Sequence, residues 1–230
     1  LRSFGFQFPV ISCGATYAGK KVLGDVTVKP DGSAFFKVPA GVPIYFIALD
    51  ADGRAVQRMR SFTHLMPGEQ QGCIGCHEYR HLSPAARLID TYHQTPQEPQ
   101  PPEWGLGGFS YSRIVQPVLD KHCIECHNPH QADGGVDLTG DQTDFFNVSY
   151  DVLARENQGR KGTKYVNWIP TYNGHEQNIL EITPKVWGSH ASRLAELILS
   201  GHPDQAGKQR IDLPELSRER IFAWIDLNVP

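Results

Sequence analysis

Short apolar segments separated by turns dominate the first 62 residues of the chain. They cover residues 21–28, 33–39, 43–49 and 55–61. Asp-Gly dipeptides lie in the turns that connect the first segment to the second and the third to the fourth. Because strands joined by such turns pair in antiparallel fashion, we predict a small antiparallel β-sandwich-like domain of three or four strands within residues 1–93.

Residues 94–104 differ in composition from the segments on either side. Proline, glutamine and glutamate dominate this stretch, and prolines at these positions prevent a helix. Such a composition is typical of stiff, extended segments. We therefore predict a Pro-rich linker over residues 94–104 that separates the β-rich domain from the rest of the chain.

Beyond the linker, apolar residues recur at the three- and four-residue spacing of amphipathic helices. The first predicted helix follows Ser110 as its N-cap residue, and Pro117 weakens or kinks it. A second helix occupies residues 189–200 and stops at the following glycine, and the last begins after Ser217. The pattern predicts a mostly α-helical domain over residues 105–230, and hence an α+β fold class.

Two copies of the pentapeptide Cys-x-x-Cys-His stand at residues 73–77 and 123–127. This spacing is the attachment signature of a c-type haem, in which the cysteines form thioethers with the haem and the histidine binds the iron. The copies use four of the five cysteines. We therefore predict two c-type haems, one in each domain, and a cytochrome c-like helical domain. The predicted haem-binding residues are Cys73, Cys76, His77, Cys123, Cys126 and His127.

Zinc is the main alternative for two Cys-x-x-Cys pairs, because four thiolates can form a tetrahedral site. The gap between Cys76 and Cys123 is much longer than the usual spacing of such sites, and zinc leaves the histidine after each pair unexplained. A disulfide framework is weaker still, because a chain of 230 residues can bury a core without cross-links. The pattern therefore favours haem.

The sixth ligand of a c-type haem iron is usually methionine or histidine. The two methionines, Met59 and Met66, both precede the first motif. The second haem is therefore either bis-histidine or five-coordinate, unless a methionine reaches it from the first domain. Among the distal candidates we favour His202, which follows a predicted helix, over His190, and His175 is the third.

For the first haem, the second ligand stays open between several residues near the motif. His64, Met66, His81 and His93 are all close to it in sequence. His81 lies four residues beyond His77, too close to reach the opposite face of the haem, but it could replace His77 as the ligand. A six-coordinate iron suits electron transfer, whereas an open iron can bind a small molecule.

Composition and charge exclude several classes of protein. A formal net charge of −3 leaves no evident basic face for nucleic acid. No apolar run approaches the roughly 20 residues that span a bilayer. The first residues lack the features of a signal peptide, so we expect a mature or partial chain. Because covalent haem attachment takes place outside the bacterial cytoplasm, we expect a periplasmic or otherwise exported protein.

Several stretches of the chain resemble the hydrazine synthase alpha subunit family and its planctomycete-type dihaem relatives. In the first half these stretches are residues 22–26, 31–43, 48–62 and 67–78. In the second half they are residues 114–120, 123–127, 188–192, 201–202 and 224–230. The first group is similar to the haem-bearing middle domain of the family, and the second to its C-terminal haem domain.

The resemblance implies different roles for the two haems. In the family, hydrazine forms at the middle-domain haem, and the C-terminal haem is six-coordinate with a second histidine. The middle-domain iron is held by a tyrosine four residues after the motif histidine, which itself binds zinc. In this chain His81 stands at the position of that tyrosine, a departure from the family pattern, and His77 at that of the zinc ligand.

Three functions are compatible with these features. The first is a dihaem cytochrome that passes electrons between redox partner proteins. The second is a subunit of a hydrazine synthase-like multihaem enzyme whose open first haem acts on small nitrogen compounds. The third is a haem module of a larger multihaem complex or homo-oligomer. The sequence favours the electron carrier, because it shows no recognisable nucleophile and base, and leaves open whether the chain is an enzyme.

Overall fold

The computed structural model describes residues 19–59, 62–75, 89–91, 93–155, 164–168, 171–172, 175–176 and 183–230. These residues form a mixed α/β structure with small antiparallel sheets and a few helices, in agreement with the predicted α+β class. The chain divides into two compact units. The β unit contains Lys21–Ala48 and Gln57–Gly107, and the helical unit contains Leu49–Val56 and Gly108–Pro230. The sandwich arrangement and the predicted domain limits stay predictions.

The strands in the described part of the chain are short and pair two by two. They are β1 (Ile47–Leu49) with β2 (Ala55–Arg58), β3 (His127–Asn128) with β4 (Gln131–Ala132), and β5 (Thr171–Tyr172) with β6 (His175–Glu176). The second and third pairs are antiparallel, with His127 opposite Ala132 and Thr171 opposite Glu176.

The turn between β1 and β2 forms where the Asp-Gly signal predicts it. Asp50 Oδ1 accepts hydrogen bonds from the backbone N–H of Asp52 at 3.0 Å and of Arg54 at 2.9 Å. Gly53 has a φ of +77°, which a residue with a Cβ atom rarely adopts. The turn is therefore determined by the side chain of its first residue and by the glycine near its end.

The Pro-rich segment is extended, as predicted, and it adds backbone pairs to the β unit. Asp25 and Gln100 exchange two N–H to carbonyl hydrogen bonds of 2.9 Å, and the N–H of Gln97 donates to the carbonyl of Phe35 at 2.8 Å. Gly24 lies so close to this segment that a Cβ atom there would sit 2.5 Å from the carbonyl oxygen of Gln100. The role of the segment as a linker between domains stays a prediction.

The helical unit is built from short helices joined by turns. The α-helices are α1 (Tyr111–Ile114), α2 (Gln116–His122), α3 (Val148–Tyr150), α4 (Arg193–Leu199) and α5 (Glu215–Asp226). A π-helical turn, Asp151–Arg155, follows α3, and 3-10 turns occupy Asp133–Gly135 and Gly188–Ala191. Among the described residues, no helix is long and apolar enough to cross a membrane.

The first predicted helix begins after Ser110 and is interrupted near Pro117, as predicted, whereas the starts of α4 and α5 differ from the sequence prediction. The helix expected after Ser110 is divided into α1 and α2 at Val115, and Pro117 falls in the first turn of α2, where its missing N–H costs no hydrogen bond. The last helix has Pro214 as its N-cap residue. Ser217 therefore lies within α5 and does not cap it.

The helical unit buries an apolar core in which aromatic rings pack on each other. Tyr111, Tyr150 and Trp224 have ring centroids 5.0 to 5.9 Å apart, and Leu119 and Phe222 in the same core are fully buried. Aromatic pairs of this kind contribute about 0.5–1.5 kcal/mol each beyond the area they bury. The core therefore holds α1, α2 and α5 together, and with them the segment that follows α2.

Candidate functional site

The second Cys-x-x-Cys-His motif begins where α2 ends. Cys123 is the C-cap residue of α2, and its N–H donates to the carbonyl of Leu119 at 2.8 Å. The carbonyl of Cys123 accepts in turn from the N–H groups of Cys126 at 3.2 Å and His127 at 3.1 Å. These bonds place both cysteines and the histidine on one short loop that is anchored to the core.

The surroundings of Cys123 disfavour a thiolate. Burial raises the pKa of the Cys123 thiol to about 11, and the neighbouring Cys126 acts in the same direction. Zinc binds cysteine as the thiolate, whereas a thioether carries no charge and suits a half-buried position. Among the residues that the structure describes, no group of three or more His, Cys, Asp or Glu side chains could hold a metal ion. The burial of Cys123 therefore favours an uncharged sulfur at this position.

His127 is held in one orientation by the β3–β4 hairpin. Its Nδ1 lies 3.3 Å from the carbonyl oxygen of Val136, and Nδ1–H donates to that oxygen in the tautomer that leaves Nε2 free. Asn128 stabilises the hairpin, because its amide donates to the carbonyl of Ile124 at 2.8 Å and its Oδ1 accepts from the N–H of His130 at 3.0 Å. Ligating histidines usually make such a bond through their second nitrogen, so His127 is oriented as an iron ligand requires.

His202 is placed by the end of α4. The N–H of Gly201 donates to the carbonyl of Ile198 at 3.2 Å, and the N–H of His202 donates to the carbonyl of Leu197 at 2.7 Å. Together with a φ of +75° at Gly201, these bonds form a Schellman motif. The predicted helix stop at this glycine is confirmed, and the turn that it makes presents His202.

The structure brings the imidazole rings of His127 and His202 together. Their centroids are 6.0 Å apart and their planes differ by 11°. The two rings are stacked, and their separation is close to the roughly 6 Å between the centroids of two imidazoles that each bind one metal at about 2.0–2.1 Å. Because Cys123 and Cys126 share a loop with His127, this set of donors fits a covalently attached haem with two histidine ligands.

Arg210 lies against His202 from a later loop. Its Nε donates to the carbonyl of His202 at 3.0 Å, and one terminal nitrogen lies 2.9 Å from His202 Nδ1. Burial lowers the pKa of His202, and the positive charges of Arg210 and Arg193 act in the same direction. These surroundings favour the neutral imidazole, in which a bond from Arg210 to Nδ1 places the ring proton on Nε2.

His190, the second choice for the distal ligand, has a carboxylate partner. Its Nε2 is 2.9 Å from Oδ2 of Asp50. Burial and the charge of Arg54 lower the pKa of His190, against the opposing effect of Asp50. His175, the third candidate, lies in β6, and its side chain is outside the described part of the chain. The pair of imidazoles that the structure brings together is therefore His127 and His202.

The first motif is described only as far as Gly75. Cys73 is exposed, and Ile74 beside it is 69% exposed. The residues predicted to bind this haem that lie outside the described part are Cys76, His77 and His81. His64, the alternative ligand, is exposed. The ligands of the first haem therefore stay predictions.

Two groups that shape the second site carry no signal in the sequence. The Val136 carbonyl is a backbone atom, which every residue has, and its use depends on where the hairpin brings it. Arg210 is one of 22 lysine and arginine residues, and nothing in its neighbours along the chain distinguishes it. Both groups reach the site only when the chain folds, so no local motif identifies them.

Asp226 is a buried carboxylate that the sequence analysis did not single out. It accepts hydrogen bonds from the N–H and Oγ of Ser189, both at 2.7 Å, and from the N–H of Ala55 at 3.0 Å. Burial raises the pKa of Asp226 to about 6. Its position between Ile225 and Leu227, in an otherwise apolar stretch, is the signal that identifies such a residue.

Comparisons with known proteins relate the chain to one family. Residues 11–78 match the family described as the hydrazine synthase alpha subunit middle domain. Hydrazine synthase subunit alpha of Kuenenia stuttgartiensis is 24% identical, over a match that covers 67% of this chain and 26% of that subunit. A solved structure of Kuenenia stuttgartiensis hydrazine synthase matches at 20% identity with a TM-score of 0.43, covering 83% of this chain and 30% of that chain.

The sequence matches are the informative ones. The chain spans 26% of the length of the curated subunit that it matches. The segment that matches the middle domain, residues 11–78, includes the stretches 22–26 and 31–43 on which the resemblance was first based. The predicted resemblance is confirmed, and the chain is related to the hydrazine synthase alpha subunit family.

Proposed function

We propose that this chain is part of a hydrazine synthase-like multihaem enzyme and that its helical unit holds an electron-transfer haem. The relation to the alpha subunit family supports the first half of the proposal. The parallel imidazoles of His127 and His202, 6.0 Å apart, are the observation that carries the second half. In this proposal Cys123 and Cys126 would attach the haem, and His127 and His202 would bind its iron.

The bound haem supplies a one-electron redox couple. Groups of the protein itself determine whether the iron of this haem is accessible to water or a small molecule. The Val136 carbonyl orients His127, and the turn at Gly201 together with Arg210 orients His202. Two histidine ligands leave no position on the iron for water or a small molecule, and ligands held in this way change little in position when an electron arrives.

We propose that the first motif also attaches a c-type haem, and that this first haem is the centre that acts on small nitrogen compounds. The match of residues 11–78 to the middle domain supports this assignment, because hydrazine forms at the corresponding haem of the family. His77, His81 and His64 are its proposed iron ligands, and zinc at His77 belongs to the same proposal. The chain then works in an exported compartment, where haem is attached, and exchanges electrons with partner proteins.

A free-standing dihaem electron carrier is the second candidate function. The arrangement of His127 and His202 favours it, because a closed iron transfers electrons without binding a substrate. The two candidates share the haem of the helical unit. They differ at the first motif, where a carrier has a closed low-spin haem and an enzyme has an open one.

Replacing the proposed sixth ligand tests the second haem. We expect the haem-loaded protein to show a low-spin bis-histidine EPR signal, and His202→Ala to convert one haem to a high-spin form that binds carbon monoxide. His190→Ala is the matched control, since His190 pairs with Asp50, and it should leave the spectrum unchanged. An unaltered spectrum in His202→Ala, or the same change in His190→Ala, would contradict the assignment.

Turnover separates the two candidate functions. An enzyme of the proposed kind should turn over hydroxylamine with ammonia, and Cys73→Ser should abolish that turnover while the EPR signal of the second haem stays intact. A carrier should show two low-spin haems and no turnover. Turnover that survives Cys73→Ser would mean that the first motif is not the catalytic centre.

A further inference from the structure

We propose that a cavity in the helical unit binds a small oxyanion, such as a phosphate or a carboxylate. The cavity has a volume of about 570 Å³, which lies within the usual range of small-molecule sites. The turn between β1 and β2, the 3-10 turn Gly188–Ala191 and α4 line it, and all three belong to the helical unit. Its ionisable side chains among the described residues are Arg54, His190, Arg193 and Glu196. The inference does not depend on either proposed haem.

Asp50 holds two of the side chains that line the cavity. Its Oδ1 accepts a hydrogen bond from the N–H of Arg54 at 2.9 Å. Its Oδ2 lies 3.2 Å from the Arg54 guanidinium and 2.9 Å from His190 Nε2. The Arg54 side chain is 22% exposed and that of His190 only 10%. One carboxylate therefore fixes the arginine and the histidine before a ligand arrives, which reduces the entropy lost on binding.

Arg54 has a donor that the protein leaves unused. One terminal nitrogen of its guanidinium serves two carboxylates, since it lies 3.2 Å from Asp50 Oδ2 and 3.1 Å from Asp52 Oδ2. Nε is buried, and among the described residues no group accepts a hydrogen bond from it. A buried donor without an acceptor is unfavourable, so an acceptor oxygen of a ligand that reaches Nε would be bound strongly.

The positive side chains at the cavity favour an anion. Arg193 is the first residue of α4 and is exposed. Burial lowers the pKa of His190, and the charges of Arg54 and Lys185 lower it further, against the effect of its carboxylate partner. Glu196 is the one acidic side chain of the described lining. Because the planar fork of a guanidinium matches the oxygens of carboxylates and phosphates, the cavity suits an oxyanion.

The test measures the binding of inorganic phosphate to the intact, haem-loaded chain by equilibrium dialysis at constant ionic strength. We expect saturable binding at this site, and acetate should compete for it if the site accepts carboxylates as well as phosphates. Arg54→Gln should weaken the binding about 10-fold or more, as expected for a lost charge-assisted hydrogen bond, and Arg193→Gln should weaken it too. Arg113→Gln is the matched control, because Arg113 is an exposed arginine of α1 outside the lining of the cavity.

Glu196→Gln distinguishes an anion site from a cation site. Removing this carboxylate should tighten phosphate binding about 2–5-fold, and weaker binding in this variant would overturn the inference. Binding that does not saturate, or that Arg54→Gln and Arg193→Gln leave unchanged, would also overturn it, because phosphate held elsewhere on the protein does not need these arginines. If Arg54→Gln does not fold, Arg193→Gln decides, and wild-type affinity in that variant rejects the inference.

Discussion

The two units of the chain carry the same pentapeptide in opposite surroundings. In the helical unit, Cys123 caps a helix whose Leu119 is fully buried, and the motif histidine already faces a second imidazole. In the β unit, Cys73 and Ile74 are exposed. One unit thus packs its motif against its own core, whereas the other presents the start of its motif at the surface.

The exposed apolar side chains of the β unit sharpen this contrast. Phe62, Met66 and Ile74 are 63%, 62% and 69% exposed and belong to one segment, residues 62–75. Single exposed apolar residues are common, but a haem is a large apolar plate that gains from such neighbours. The difference shows that the packing around the pentapeptide, and not the motif itself, determines how exposed its first residues are.

The largest expected effect compares one phenylalanine from each unit. Phe222 is fully buried and Phe62 is 63% exposed. Phe222→Ala should lower the free energy of unfolding by about 3–5 kcal/mol, because it leaves a cavity in the core, whereas Phe62→Ala should change it by no more than about 0.5 kcal/mol. Urea unfolding followed by circular dichroism measures both. Equal effects would show that the two units do not differ in packing as described.

Asp226 offers the next largest effect, and it belongs to the helical unit. Its pKa of about 6 lies above the ordinary value of 3.8, so the folded state binds this proton more tightly than the unfolded state. Its contribution to the free energy of unfolding is therefore fully present below about pH 4 and falls as the pH rises to about 6. The loss amounts to roughly 3 kcal/mol.

The Asp226→Asn variant lacks this titrating group. The difference in stability between the wild type and the variant therefore reports on Asp226 and not on the other carboxyl groups. The stability advantage of the wild type over Asp226→Asn should shrink by that amount between about pH 4 and pH 6 in urea titrations. An advantage that grows with pH would mean that the folded state favours the ionised carboxylate.

The sequence pattern predicted those turns and helix ends that depend on residues next to each other along the chain. The helix stop at Gly201 and the turn that ends at Gly53 both depend on a glycine with positive φ, and they lie where the sequence places them. The interruption of the first helix near Pro117 was predicted as well, whereas the start of the last helix after Pro214 was not. At the last helix several starts are compatible with the same apolar pattern, and tertiary packing selects one.

The sequence locates the candidate site by its motif but does not predict the groups that support it. The spacing of Cys123, Cys126 and His127 contains the chemistry of haem attachment in five consecutive residues. Because no methionine follows the first motif, the sequence left a few histidines as candidates for the second iron ligand. Only the folded chain brings His202 to His127. Arg210 acts through contacts set by the course of a loop, which no spacing rule encodes.

The smallest expected effect tests whether the β unit holds itself together without its haem. At Gly24, φ is +139° and a Cβ atom would meet the Gln100 carbonyl oxygen at 2.5 Å, so Gly24→Ala should cost about 2 kcal/mol. Gly32→Ala is the control, because Gly32 has a φ of +85° with nothing within 4 Å, and strain alone should cost about 1 kcal/mol. Urea unfolding of haem-free protein measures both. A larger cost at Gly24 means that the close approach of the Pro-rich segment stabilises the β unit, whereas equal costs mean that this approach contributes little.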